Sequence, residues 1–217
     1  MNRIARVAGL VGVLLFTAVA GLAISGDALA KDNKQSAEAF RADMRMLWED
    51  HIVWTRQFIV SAATLPDGNL DDLVPTAERL LRNQDDIGNA IAAYYGEEAG
   101  DALAVLLKDH INIAGQLIAD VKSGSSNAAA TQAAWFANAD DIATFLAAAN
   151  PEFWPFEMMQ DHMYDHLTLT AEEAVARIQG RYVDDIAAYD KIHSQILSMA
   201  DMLADGIVGQ FPNRFSR

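Results

Sequence analysis

From residue 35 onward, apolar residues recur every three to four positions, and no stretch shows the strict alternation of a half-buried strand. The first periodic run, about 35–63, sets Phe40, Met44, Leu47, Trp48, Ile52, Trp54, Phe58 and Ile59 on a helical rhythm, and Leu65-Pro66-Asp67-Gly68-Asn69 breaks it. A second run covers about 70–95, with Pro75 in its first turn and Gly96 at its end. A third, about 98–121, stops at Lys122-Ser123-Gly124-Ser125-Ser126, and a fourth, about 127–149, stops at Asn150-Pro151. The aromatic linker Phe153-Trp154-Pro155-Phe156 leads to a short fifth helix, about 157–167. Thr170 and Glu173 match a capping box, which predicts a break there and a long last helix toward Phe211. Connections this short make successive helices antiparallel neighbours. The pattern predicts an all-α fold, an up-and-down helix bundle of four core helices plus the short fifth and the long C-terminal helix. No internal repeat longer than a local motif is expected.

Residues 1–30 read as a signal peptide. Arg3 and Arg6 precede an apolar stretch from Val7 to Ile24, and Ala28-Leu29-Ala30 supplies a small-x-small cleavage site. The stretch is close to the shortest membrane span, so an uncleaved anchor is the alternative. No second apolar run of spanning length is expected. Cleavage leaves residues 31–217 as a single helical-bundle domain, periplasmic or secreted. It also removes Arg3, Arg6 and Asp27, leaving 14 basic against 29 acidic residues, a net charge near −15. Such a surface repels nucleic acid and anionic lipid, which argues against nucleic-acid partners and, after signal cleavage, against a membrane one. A protein partner is not specified. With no cysteine, disulfides, thiolate catalysis and sulfur-ligated metal sites are excluded, and any metal needs His, Asp, Glu, Asn or Met.

One local pattern recurs: a large apolar residue, two variable residues, then Asp-His and another apolar residue. It appears around His51, His110 and His162, and an overlapping copy places His166 after Asp165. On a helix the histidine stacks over the apolar residue four positions earlier and faces inward, while the adjacent Asp points about 100° aside. His51 and His110 each lie about 12 residues before the end of their predicted helices, which puts both at one height in an up-and-down bundle. Helix four reaches that height near Asn138 and Asp141, and helix two near Asn83 and Gln84, one turn from Asp86. His166 is a further contributor. Imidazoles joined by a carboxylate or an amide form a ligand set for a divalent transition metal. The sideways Asp50, Asp109 and Asp165 are candidates to orient a histidine on an adjacent helix. His162 and His166 also stand one turn apart, and Met158, Met159 and Met163 around them would suit copper.

The alternatives keep equal weight. Core histidines commonly serve as hydrogen-bonded structural residues, methionines at helical spacing fill cores, and Asn138 and Gln84 can tie helices together. The Glu-x-x-His signatures of di-iron carboxylate bundles are absent, as are a phosphate loop, a nucleophile elbow and His-Glu-x-x-His. The balance leans away from an enzyme, and no catalytic residue is assigned. Gly88 and Gly180, inside predicted helices, mark close helix packing or a widened pocket. His193 is expected to be partly exposed and structural.

The strings Leu47-Trp48-Glu49-Asp50-His51-Ile52-Val53-Trp54-Thr55-Arg56, Asp86-Ile87-Gly88-Asn89-Ala90, Tyr94-Tyr95-Gly96, Trp135-Phe136-Ala137-Asn138-Ala139-Asp140, Asp165-His166-Leu167 and Gln210-Phe211-Pro212 are distinctive. Together they resemble a family of small exported all-helical bacterial proteins with no established activity. The resemblance covers nearly all of 31–217 and implies no reaction. It implies histidine at the positions of His51, His110 and His166, but not at His162. Three expectations follow. One is a small-ligand binder, foremost a divalent metal ion (Zn, Cu or Fe) held by His51, His110 and His166 with Asn138, Asp141 or Asp86 completing the shell. The second is a non-catalytic structural or interaction domain. The third is an unrecognised enzyme or a binder of organic ligands that uses the aromatic interior.

Overall fold

The computed structural model describes residues 34–64 and 68–216. The signal-peptide reading of residues 1–30 therefore lies outside the described residues. Those described contain six long helices and no strand, an all-α bundle. They are α1 (Ala37–Ala63), α2 (Leu73–Tyr95), α3 (Glu97–Ser123), α4 (Ala128–Ala149), α5 (Phe156–Ile178) and α6 (Tyr182–Gln210), followed by a 3-10 turn at Pro212–Arg214.

Each boundary has a local cause. The Ser36 side chain accepts from the Ala39 amide at 3.1 Å and caps α1. Gly96, at φ 93°, ends α2 and opens α3 in a single residue. Glu97 and Glu98 then complement the positive end of the α3 dipole, and Lys122 its negative end. Gly124, left-handed at φ 66°, closes α3 in a Schellman-type turn, with Ser125 N donating to Asp120 O at 2.8 Å.

Successive helices pack on one another, and α6 packs back on α1, which closes a ring of six. At the seam Ser216 N donates to Gln35 O at 2.9 Å, and Arg45 makes a two-pronged ion pair with Asp201. Short turns reverse the chain at each step, so α1, α3 and α5 run one way and also meet each other across the interior. The main core includes Met44, Trp48, Ile52, Ile87, Leu107, Ile142, Met159, Leu167, Ile196 and Ile207, drawn from all six helices. α3 is long and apolar enough to cross a membrane by length and composition, contrary to the sequence expectation. Its apolar residues Leu103, Leu107, Ile111 and Ile118 are, however, buried against its neighbours.

The fifth helix differs from expectation. It is not short: it runs 23 residues, straight through Thr170 and Glu173. Thr170 sends its hydroxyl back to His166 O at 2.8 Å, and Glu173 pairs with Arg56 instead of capping. No glycine or proline interrupts 156–179, so the motif had nothing to break. The break falls at Gly180, left-handed at φ 69°, which therefore ends a helix and does not widen a pocket. Gly88 does mark close packing. A Cβ there would lie 2.6 Å from Gly100 O and 2.9 Å from Ala104 Cβ, both on α3. Backbone cannot yield as a side-chain tip can, so Gly88→Ala is expected to cost about 1–3 kcal/mol. A urea midpoint equal to that of the parent chain would contradict this close α2–α3 approach.

Candidate functional site

His51 on α1, His110 on α3 and His166 on α5 converge at the centre of the ring. His51 lies 12 residues before the end of α1, His110 13 before the end of α3 and His166 12 before the end of α5. Parallel helices with equal remaining length bring the rings to one height. The His166 ring centre is 6.0 Å from that of His51 and 6.2 Å from that of His110. All three residues are at most 4% exposed.

Behind each ring stands a carboxamide on the following helix, placed by the same bond every time. Asn83 Nδ2 donates to Leu47 O at 3.0 Å, Asn138 Nδ2 to Leu106 O at 3.1 Å, and Gln195 Nε2 to His162 O at 2.9 Å. Each acceptor is the carbonyl four residues before the histidine, so it sits one turn from the ring. This turns the Asn138 oxygen toward its imidazole, while Asn83 Oδ1 accepts from Gln84 Nε2 at 3.2 Å. At His110 the geometry is complete: Nδ1–H donates to Asn138 Oδ1 at 2.7 Å. That fixes the proton on Nδ1 and leaves Nε2 as a bare lone pair, buried and without a partner among the described residues. At His51 both Asn83 and Gln84 lie against the ring, with Gln84 Nε2 3.3 Å from Nδ1. At His166, Gln195 is beside the ring, and its Oε1 and the His166 Nδ1 are both buried without partners. They are matched as acceptor and donor.

The described residues thus form three helical hairpins, α1–α2, α3–α4 and α5–α6. Each supplies an inward histidine from its first helix and a supporting carboxamide 28 to 32 residues downstream on its second. This threefold repeat was not expected from the sequence beyond the Asp-His pattern.

Burial empties the rings of charge. Loss of water, with repulsion from His110 added at His51, pushes the His51 pKa down to about 4. Burial alone carries His110 to about 4. His166 is driven well below the ordinary value by burial and then by the charges of its two neighbours. The amide contacts pull the other way and lose. At neutral pH the centre holds three uncharged imidazoles. It borders a small cavity of about 30 Å³, room for one or two waters. The walls are otherwise apolar and include Met44, Met163, Met199 and Trp48.

Other expected site residues fall elsewhere. Asp86 and Asp141 are exposed and cannot complete a buried shell. Asn138 spends its oxygen on His110 and its nitrogen on Leu106, so it supports a ring and is not free to coordinate. Asp50 pairs with Arg79 at 2.7 Å, while Asp109 and Asp165 are exposed, so none orients a histidine. The 100° offset that turns each His inward turns its Asp outward. His162 is half-buried and borders a surface groove with Asp161 and Asp165, apart from His166. His193, half-buried, meets Glu49 at 2.8 Å as a structural contact. Gln195 and the cavity methionines Met44 and Met199 were not anticipated. The usable signal was a carboxamide about 30 residues after each histidine. Among the described residues, no three of His, Asp and Glu stand close enough to hold an ion as the side chains are placed.

A second buried polar cluster lies farther along the same helices. Arg56 on α1 bonds Glu173 Oε1 at 2.8 Å and grips Asp185 of α6 with both nitrogens; Arg177 adds a contact to Asp185 at 3.2 Å. Both carboxylates are fully buried. Burial pushes the Glu173 pKa up to about 7 against the pull of Arg56, and its Oε2 has no partner among the described residues.

The chain was compared with family models, curated proteins and solved structures, and none of the three comparisons returned a match.

Proposed function

We propose that this chain is an exported helical-bundle protein that binds a transition-metal ion between His51, His110 and His166. The observation that carries this reading is the buried Nε2 lone pair of His110, without a partner among the described residues, on a ring that lines a cavity with two further neutral imidazoles. A buried polar atom without a partner costs about 1–3 kcal/mol, and a bound ion removes that cost. The Asn138 carboxamide matches what metal-ligating histidines use, an acceptor on the second ring nitrogen that fixes tautomer and orientation. Metal–nitrogen bonds of about 2.0–2.1 Å at trigonal or tetrahedral angles bring ring centres to roughly 5–5.5 Å. The two separations that include His166, 6.0 and 6.2 Å, exceed this by about an ångström or less. Export is supported by the basic, apolar and small-residue order of residues 1–30 and by the acidic remainder.

A second reading is favoured by a specific observation: among the described residues, no three of His, Asp and Glu close on one point. In it, the three His–carboxamide pairs are braces that tie each hairpin together. Metal analysis of tag-free protein and thermal unfolding with added Zn, Cu and Fe ions separate the two. Under the first reading, an ion at 100 times its Kd stabilises the fold by about 2.7 kcal/mol, and His110→Leu abolishes the gain. If no ion co-purifies and no added ion moves the Tm, the metal reading is overturned and the braces remain.

A further inference from the structure

The cavity beside the histidines carries no negative charge. Among its lining residues are three imidazoles and three methionines, Met44 from α1, Met163 from α5 and Met199 from α6, each at most 4% exposed. No carboxylate lines it, and Asp86, Asp109, Asp141 and Asp165 all face solvent. An ion here therefore keeps its full charge in an apolar surrounding. The cost of stripping water from an ion rises with the square of its charge, so a divalent ion costs about four times as much as a monovalent one of the same size. The volume of about 30 Å³ leaves room for at most one or two retained waters. Imidazole and thioether are neutral donors, and thioether sulfur is a soft one that selects Cu(I).

Resting on the metal-centre reading above, we propose that this site selects the monovalent soft cation Cu(I), held by His51, His110 and His166 with the thioethers of Met44, Met163 and Met199 as the adjoining soft donors. This departs from the divalent ion expected of the sequence, because the carboxylates that would neutralise a second charge are on the outside. Soft, neutral donors with no lining carboxylate then favour the reduced state of the bound ion.

The test is an anaerobic titration of the tag-free chain with Cu(I) in competition with a chromophoric Cu(I) chelator, run in parallel with Zn(II) against a fluorescent Zn(II) chelator. The expected result is one tightly held Cu(I) per chain and no Zn(II) retained against its competitor. The double variant Met44→Leu/Met199→Leu, a volume-conserving exchange, weakens Cu(I) at least tenfold and leaves the Tm of the metal-free protein within a few degrees. Zn(II) held as tightly as Cu(I) overturns the selectivity while the metal centre stands. Unchanged Cu(I) affinity in the methionine variant overturns the thioether assignment. Neither ion bound overturns this inference, and the metal reading with it if Fe(II) also fails to raise the Tm; Cu(I) binding that survives His110→Leu overturns the assigned site.

Discussion

In metal-free protein, acidification from pH 7.5 to about 4 is expected to remove most of the folding stability. A buried histidine with a lowered pKa binds its proton more weakly folded than unfolded. Between its folded value and the ordinary 6.5, the unfolded chain therefore holds more protons, and stability falls as pH falls. For His51 and His110, each lowered to about 4, the loss reaches about 3 kcal/mol per ring once the pH is near 4. His166, lowered in the same direction, adds to it. Glu173 opposes. Its pKa is raised to about 7, so between the unfolded carboxylate value and 7 the folded state holds the extra proton, and that contribution grows as pH falls. One carboxyl does not offset three imidazoles, and the summed loss is comparable to the whole stability of an ordinary domain. Urea midpoints at pH 7.5, 6, 5 and 4.5, followed by circular dichroism, measure it directly. A midpoint that stays level across this range contradicts three buried neutral rings. Because the same protons compete with a bound ion, saturating metal should move the fall to lower pH.

Arg56→Met is expected to cost about 3–5 kcal/mol, the largest effect of a single substitution. Arg56 is the ion-pair partner of Glu173 and one of two for Asp185, and both carboxylates are wholly buried. Removing the guanidinium strands a charge whose only relief is to take up a proton. The defect should therefore be larger at pH 8 than at pH 6, where Glu173 can be neutral. Combining Arg56→Met with Glu173→Leu removes the stranded charge and should recover a large part of the loss, a strongly non-additive pair. Chemical unfolding of the two single variants and the double at both pH values checks this. Additive losses, or a defect independent of pH, would show that the two side chains do not interact as described.

Much of the fold was legible in the spacing of apolar residues and in the turn residues. Gly96 and Gly124 end helices where the sequence places them, and short loops force the hairpins. The common height of His51 and His110 follows from the same two quantities, residues per turn and residues left before the turn, and both rings come to within about 6 Å of His166. A local motif with two outcomes is less informative. Thr170 and Glu173 satisfy a capping box, but a helix that already buries Met163 and Leu167 has no reason to stop, and Glu173 finds Arg56 from a helix more than 100 residues away. The Asp residues beside the histidines were misassigned because adjacency in sequence means divergence on a helix. Gln195 could not be placed at all. Its register beside His166 depends on how the turn at Gly180 swings α6 back along α5.

By itself, the sequence determined the helices, their reversals and the inward direction of three histidines, since each depends on interactions within about one turn of chain or on loop length. Only the tertiary structure decided what surrounds those rings. The amide behind each imidazole, the methionines across the cavity and the outward turn of every nearby carboxylate depend on the rotation of one helix about its axis relative to the next. That rotation is set by packing such as the Gly88–Gly100 contact, and residues far apart in the chain determine it together.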